Sequence, residues 1–271
     1  MRVFPEVIEK ALERAHPGWI PVLREGLAAI TRRSPDYLET LADDVFLPTG
    51  NRLFAAFSQP MEAVRYVLVG EGPYPRAESA SGYCFMDAAV TDLWSENGLS
   101  KPVNRATSLR NFIKMLWVAE GKLEPDNTGG EAMKTVARQA LAEGAPYIRT
   151  LDEMQETMLE KGFLLLNATL VYRQHVPAAR EARAWQPFFH VVLEALASAS
   201  RNRQEKTVLV LWGKMAEKLL SLPLVSSFEC KVSEHPYNLS FIGNRTMQSL
   251  FWPIALLYRQ GKRPDGSRGA N

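Results

Sequence analysis

The sequence predicts an α/β protein in three layers, α/β/α, with a central four-stranded parallel sheet. Three observations predict it. Short runs at 65–69 (RYVLV), 163–166 (FLLL) and 208–212 (VLVLW) are almost wholly apolar rather than alternating, as in strands covered on both faces. Segments with helical spacing lie between them. Small, polar and aromatic residues follow each run, at the strand ends where ligand crevices of such sheets form.

Taken in order, Val7, Ala11 and Leu12, then Ile20, Leu23, Leu27 and Ile30, recur at threes and fours, so residues about 5–42 are read as helices, interrupted at Pro17 and Gly18. The first strand, 65–69, stops at Gly70. Helical segments are expected at about 107–120, 151–161, 185–200, 213–220 and 246–258. Residues 228–233 (FECKVS) form a weaker fourth strand. The stretch 121–150 is polar and dotted with glycine, and reads as a surface insertion holding one short helix. Residues 1–260 are expected to be a single domain with a motif-bearing core at about 60–258. The segment 261–271 (GKRPDGSRGAN) reads as a loose tail.

With 46% hydrophobic and 23% charged residues in 271, the chain has enough apolar material for a sizeable core. A net charge of +2 neither demands nor excludes nucleic acid, so any DNA-binding face must come from local clustering. Two cysteines, Cys84 and Cys230, give no disulfide framework and are read as free buried thiols in a reducing compartment. Together with four scattered histidines they give no zinc spacing, so neither a metal nor an organic cofactor is expected. No apolar signal region follows Met1–Pro5 and no run reaches membrane-spanning length, which predicts a soluble, cytoplasmic protein.

The residues after each strand carry the chemistry. Gly70-Glu71-Gly72-Pro73-Tyr74 follows the first, Asn167-Ala168-Thr169 the second, and Gly213-Lys214 the third. His235-Pro236-Tyr237-Asn238-Leu239-Ser240 follows the fourth. Gly70-x-Gly72 before a helix suggests a dinucleotide-binding protein as one alternative, but the third glycine and a ribose-binding acid are missing at the proper spacing.

These segments resemble, in order, the motifs of family 1 uracil-DNA glycosylases. The water-activating G-Q-D-P-Y-H is similar to G-E-G-P-Y-P at 70–75, and G-L-C-F-S to Gly82-Tyr83-Cys84-Phe85-Met86. A serine loop ending P-S-L-K-N resembles Thr107-Ser108-Leu109-Arg110-Asn111. L-L-L-N-A is intact at 164–168, and W-E-x-F resembles Trp185-Gln186-Pro187-Phe188. L-L-W-G-x-x-A-x-K is similar to residues 210–218, and H-P-S-P-L-S to 235–240. The resemblance covers about residues 60–258.

It implies a monomeric DNA repair enzyme that flips deoxyuridine from DNA and hydrolyses its N-glycosidic bond, leaving an abasic site. Its partner is uracil-containing DNA; the sequence leaves open any protein inhibitor of the family. The implied pocket comprises Glu71, Tyr74, Phe85, Asn167 and His235. A side-chain amide at Asn167 can donate to uracil O4 and accept from N3–H, whereas cytosine presents the opposite polarity. Phe85 stacks on the base, and Tyr74 stands against C5 to exclude the thymine methyl. His235 donates to O2 as charge develops on the leaving base. Leu239 fills the space left by the extruded nucleotide. Ser108 and Ser240 hold phosphates, with Arg105 adding positive charge.

The chain departs from the family at the water-activating loop. Gly72 stands where the family has its aspartate, Glu71 where it has glutamine and Pro75 where it has histidine. Glu71 also resembles the G-E-A-P-G loop of family 4 glycosylases, which lacks the aspartate too, and is given the task of orienting water or stabilising a cation. Two alternatives remain at this stage: a catalytically impaired protein that binds uracil DNA, and a glycosylase for another damaged base.

Overall fold

The computed structural model describes residues 4–264; part of the expected tail, 265–271, lies outside them. Helices α1 (Glu6–Leu12), α2 (Ile20–Arg33) and α3 (Tyr37–Ala42) come first, then strand β1 (Tyr66–Gly70). A two-stranded hairpin, β2 (Trp94–Ser95) and β3 (Gly98–Leu99), precedes α4 (Lys101–Arg105), α5 (Thr107–Ala119), α6 (Gly130–Leu141) and α7 (Leu151–Glu160). Then come β4 (Phe163–Asn167), α8 (Ala178–Arg203), β5 (Val208–Trp212), α9 (Lys214–Leu220), β6 (Glu229–Ser233) and α10 (Arg245–Phe251).

Four strands form one sheet in the order β4-β1-β5-β6, flanked by helices, as the apolar runs predict. β1 and β4 are parallel and in register from Tyr66 opposite Phe163 to Gly70 opposite Asn167. The end of β1 and the end of β4 therefore deliver Gly70 and Asn167 side by side.

Two helix boundaries differ from expectation. α8 starts at Ala178, seven residues before 185, and runs through Pro187. Proline is favoured in a helix's first turn and disfavoured inside it; a start at 185 would have put Pro187 in the first turn. Burial of Trp185 and Phe188 holds the longer helix in place. In the last helix Pro253 acts as a stop: α10 ends at Phe251 and the chain continues as a 3-10 turn, Trp252–Ile254. The β2–β3 hairpin was not expected, although Asn97-Gly98 is a turn signal.

The chain divides into two compact units. The first comprises Met1–Ala88, Gly162–Val210 and Lys218–Cys230. Its core is aromatic: Phe54 stacks on Phe188 at 6.0 Å, and Trp185 meets Phe188 edge-on at 5.1 Å. Gly26 lets α2 approach α8, since a Cβ there would stand 2.6 Å from the Phe188 ring. The second unit comprises Ala89–Lys161, Leu211–Glu217 and Lys231–Asn271. There Phe112 packs edge-on against Phe251 at 4.9 Å, and Trp94 against Trp117 at 5.7 Å.

Among the described residues no helix is long and apolar enough to cross a membrane. Cys84 is buried and Cys230 half-buried, and both are free.

Candidate active site

In the first unit the site begins with the pair at the ends of β1 and β4. A Cβ on Gly70 would lie 2.5 Å from Asn167 Oδ1 and 2.8 Å from Cys84 Cβ, so only glycine leaves room for the amide. Asn167 is 4% exposed, yet its side chain makes no hydrogen bond to any other described residue. Asn167 is not among the described residues with fully buried, unpartnered polar atoms, so the little surface it keeps leaves its amide open to solvent at the strand end.

The segment carrying Phe85 is pinned beside that amide. Cys84 N–H donates to Leu165 O at 3.0 Å and its thiol to Leu68 O at 3.1 Å, tying it to β4 and β1. Burial pushes the Cys84 thiol well above its ordinary value, so it stays protonated and serves as packing. Phe85 has φ 66°, a left-handed conformation that a bulky residue adopts only when its surroundings impose it. Its ring is half-buried. Tyr74 donates its hydroxyl to Phe85 O at 3.3 Å. Burial, followed by the charge of Asp87, raises the Tyr74 phenol far above its usual range, and it remains a neutral donor.

The loop leaving β1 is laced to the loop leaving β4: Ala168 N donates to Gly70 O at 2.8 Å and Thr169 N to Glu71 O at 3.1 Å. Gly72 is exposed, and a Cβ there would meet Thr169 O at 3.6 Å and Thr169 Cβ at 3.7 Å, ordinary contact distances. The position lacks a carboxylate, and a Cβ added there meets no clash. Glu71 is exposed too, and accepts from Lys218 Nζ at 3.0 Å.

In the second unit a single loop carries three of the expected residues. His235 is exposed, and its Nδ1 accepts from Tyr237 N–H at 3.1 Å. In the neutral imidazole the proton then sits on Nε2. Leu239 is 69% exposed, and Ser240 next to it is exposed as well. The loop is braced on one side by Asn111 of α5, fully buried, whose Nδ2 donates to Pro236 O at 2.7 Å, with Tyr237 O and Asn238 O at 3.3 and 3.4 Å. On the other side Asn244 donates to Glu234 Oε2 at 2.7 Å. At the end of β5, Gly213 has φ 53°, and a Cβ on it would stand 3.0 Å from His235 Cβ. Ser108 is half-buried in the first turn of α5, and Arg105 is the exposed last residue of α4.

Thus the structure gathers Asn167, Phe85, Tyr74, Glu71 and Gly72 in one unit. In the other it places His235, Leu239 and Ser240 on one loop, tied to the helix that carries Ser108. Sequence reasoning assigned no role to Asn111, Gly213 or Lys218. A signal existed for Asn111: it falls on the apolar face of α5 with Leu109, Phe112 and Ile113, where an asparagine must find a partner. Among the described residues no cluster of three or more His, Cys, Asp or Glu side chains is placed to hold a metal ion.

This is a parallel α/β sheet whose strand ends, where such folds bind ligands, carry the Asn167 amide beside Gly70 and the left-handed Phe85. No family model matches the chain. Wild-type UNG of Nitratifractor salsuginis, a crystal structure, is 35% identical, with a TM-score of 0.84 over 96% of this chain and 100% of that one. The uracil-DNA glycosylase of Thermobifida fusca is 29% identical over 254 residues, 91% of each chain. Uracil-DNA glycosylase 1 of Streptomyces avermitilis is 28% identical over 93% of this chain and 94% of that relative. The chain belongs to the uracil-DNA glycosylase family.

Proposed function

We propose that this protein flips deoxyuridine out of DNA and hydrolyses its N-glycosidic bond, with Asn167 as the reader of the base. The observation that carries the reading is the Asn167 side chain, 4% exposed and bonded to no other described residue, its Oδ1 held beside Gly70. Its NH2 donates to uracil O4 and its carbonyl accepts from N3–H. Phe85 supplies the stacking face, and Tyr74 fills the space a thymine methyl would need. As the bond to C1′ breaks, electrons pass to the base, and His235 donates from Nε2 to O2; stabilising charge that appears only in the transition state raises the rate. Water adds to C1′ and its proton passes through solvent to the N1 anion left on the base, so the products are an abasic sugar and neutral uracil. Leu239 enters the stack, Ser108 and Ser240 take backbone phosphates, and Arg105 adds charge. Residues 1–260 act as one monomeric domain.

The placement within the family is family 1, with G-E-G-P-Y-P as its altered water-activating motif. Glu71, next to the vacant carboxylate position at Gly72, orients the water or faces the developing cation. The test is cleavage of uracil oligonucleotides followed by alkali. Asn167→Asp and His235→Ala should each slow the single-turnover rate about 10²–10³-fold. Wild-type rates in both variants would remove the proposed site.

A further inference from the structure

A concavity with a volume of about 670 Å³ lies in the first unit. Four arginines line it, Arg33, Arg173, Arg180 and Arg183, against two aspartates, Asp36 and Asp44. The acids do not neutralise it evenly. Asp44 is already engaged, with Arg173 Nη1 at 3.2 Å and His175 Nε2 at 3.0 Å. Arg173, buried, also donates to the buried Glu181 at 2.7 Å, and its guanidinium lies 5.5 Å from the Tyr37 ring. This network forms a rigid floor. Tyr37 donates to Glu181 and accepts from Trp185 Nε1 at 2.8 Å, so the floor is anchored to the aromatic core.

The arginines on the wall are different. Arg180 and Arg183 are exposed, three residues apart on α8, hence on one face. Neither side chain has an ion pair or hydrogen bond among the described residues. Arg33 donates only to a neutral group, Gln186 Oε1, at 3.2 Å. Three guanidinium groups without carboxylate partners around a concavity present the planar donors that suit phosphate oxygens.

Position narrows the source of the phosphate. Arg173 is six residues beyond Asn167 in the loop leaving β4. At no more than about 3.6 Å per residue, its Cα is within about 22 Å of that of Asn167. That span corresponds to about six nucleotide steps of 3.4 Å in one strand.

We propose that this pocket is a phosphate-binding subsite, which in the working enzyme takes a backbone phosphate of DNA flanking the uracil. The proposal rests on the base-reading role of Asn167 for its DNA source, and on the arginine-lined cavity alone for its phosphate chemistry.

The test uses the full chain and the variant R180A/R183A, with R180K/R183K as the charge-retaining control. Both positions are exposed, and thermal unfolding verifies the fold. KM and kcat are measured over a salt series on a long uracil duplex and on a uracil trinucleotide, and inorganic phosphate is titrated against thermal unfolding. With the long duplex, R180A/R183A should raise KM several-fold at low salt, leave kcat unchanged, and reduce the log KM against log salt slope by about one to two. The trinucleotide should be cut at the wild-type KM, and the lysine control should recover most of the long-duplex effect. If inorganic phosphate stabilises the wild type but not R180A/R183A while the DNA kinetics are unchanged, the pocket holds free phosphate and the DNA source is overturned. If neither the salt slope nor phosphate stabilisation changes, the subsite is overturned outright. Failure of the wild type to cut even the trinucleotide would instead count against the glycosylase reading, and the phosphate titration still decides the pocket.

Discussion

Asn111 Nδ2 lies 2.7 Å from Pro236 O, a hydrogen bond between the buried middle of α5 and the loop that carries His235. Tyr237 O and Asn238 O are within 3.4 Å of the same nitrogen, so one amide holds three successive carbonyls. Asn111→Ala removes the 2.7 Å donor of Pro236 O, while Asn238 O keeps Phe241 N–H, and should destabilise the protein by about 1–3 kcal/mol, read from the urea midpoint. It should also lower kcat by misplacing His235. The distinguishing measurement is a double-mutant cycle: in a His235→Ala background the kcat cost of Asn111→Ala should shrink to near nothing. Additive costs would make Asn111 a packing residue and no more.

Two glycines two residues apart should respond oppositely. Gly70→Ala drives a methyl to 2.5 Å from Asn167 Oδ1 and must displace the amide, so cleavage should fall by about 10²-fold or more, as for loss of a transition-state contact. At Gly72 the nearest atoms to a new Cβ are at 3.6 Å. Gly72→Asp should therefore fold normally and keep or raise the cleavage rate by restoring a carboxylate beside the water. A rate lost in Gly72→Asp, with an unchanged melting temperature, would mean the pocket depends on glycine there.

Much of this was legible before any coordinates. The unbroken apolar runs gave the strands because strands buried on both faces need no polar alternation. Asn167 stood out because it ends such a run; His235 follows the weaker, alternating strand 228–233, and its role came from the resemblance. Gly70 was visible only as a strand terminator; its contact with Asn167 depends on parallel register between segments almost a hundred residues apart in sequence. The proton position on His235 depends on a backbone N–H two residues away, and the Glu71–Lys218 pair on an ion pair between distant loops. Sequence spacing encodes none of these. The start of α8 was misplaced because local proline chemistry was outweighed by burial of Trp185 and Phe188.

Glu71 and Lys218 form an exposed pair, with side chains 63% and 61% accessible. Such a pair contributes about 0–1 kcal/mol to stability, so both Lys218→Ala and Glu71→Gln should melt within a few degrees of the wild type. Their kinetic effects should differ. If the Glu71 carboxylate positions water or faces the cation, Glu71→Gln should slow single-turnover cleavage by about 10²-fold. Lys218→Ala leaves the carboxylate in place and should change the rate far less. Equal rates for wild type and Glu71→Gln would remove Glu71 from the chemistry.

Tyr74 combines a steric task with a titratable group held neutral. Its phenol is raised first by burial and then by Asp87. In the unfolded chain it ionises near the ordinary value of 10.0, while in the folded protein it does not until higher pH. The unfolded state therefore loses its proton first, so the contribution to stability is intact below that value and is lost as pH rises through the folded pKa. Tyr74→Phe should make the decline in urea midpoint shallower over the alkaline range while keeping discrimination against thymine, since the ring that blocks the methyl remains. Tyr74→Ala removes the ring and should begin to release thymine from T-containing duplexes, measured as alkali-labile sites. If thymine stays bound to its sugar in Tyr74→Ala while uracil is still excised, another side chain excludes the methyl group.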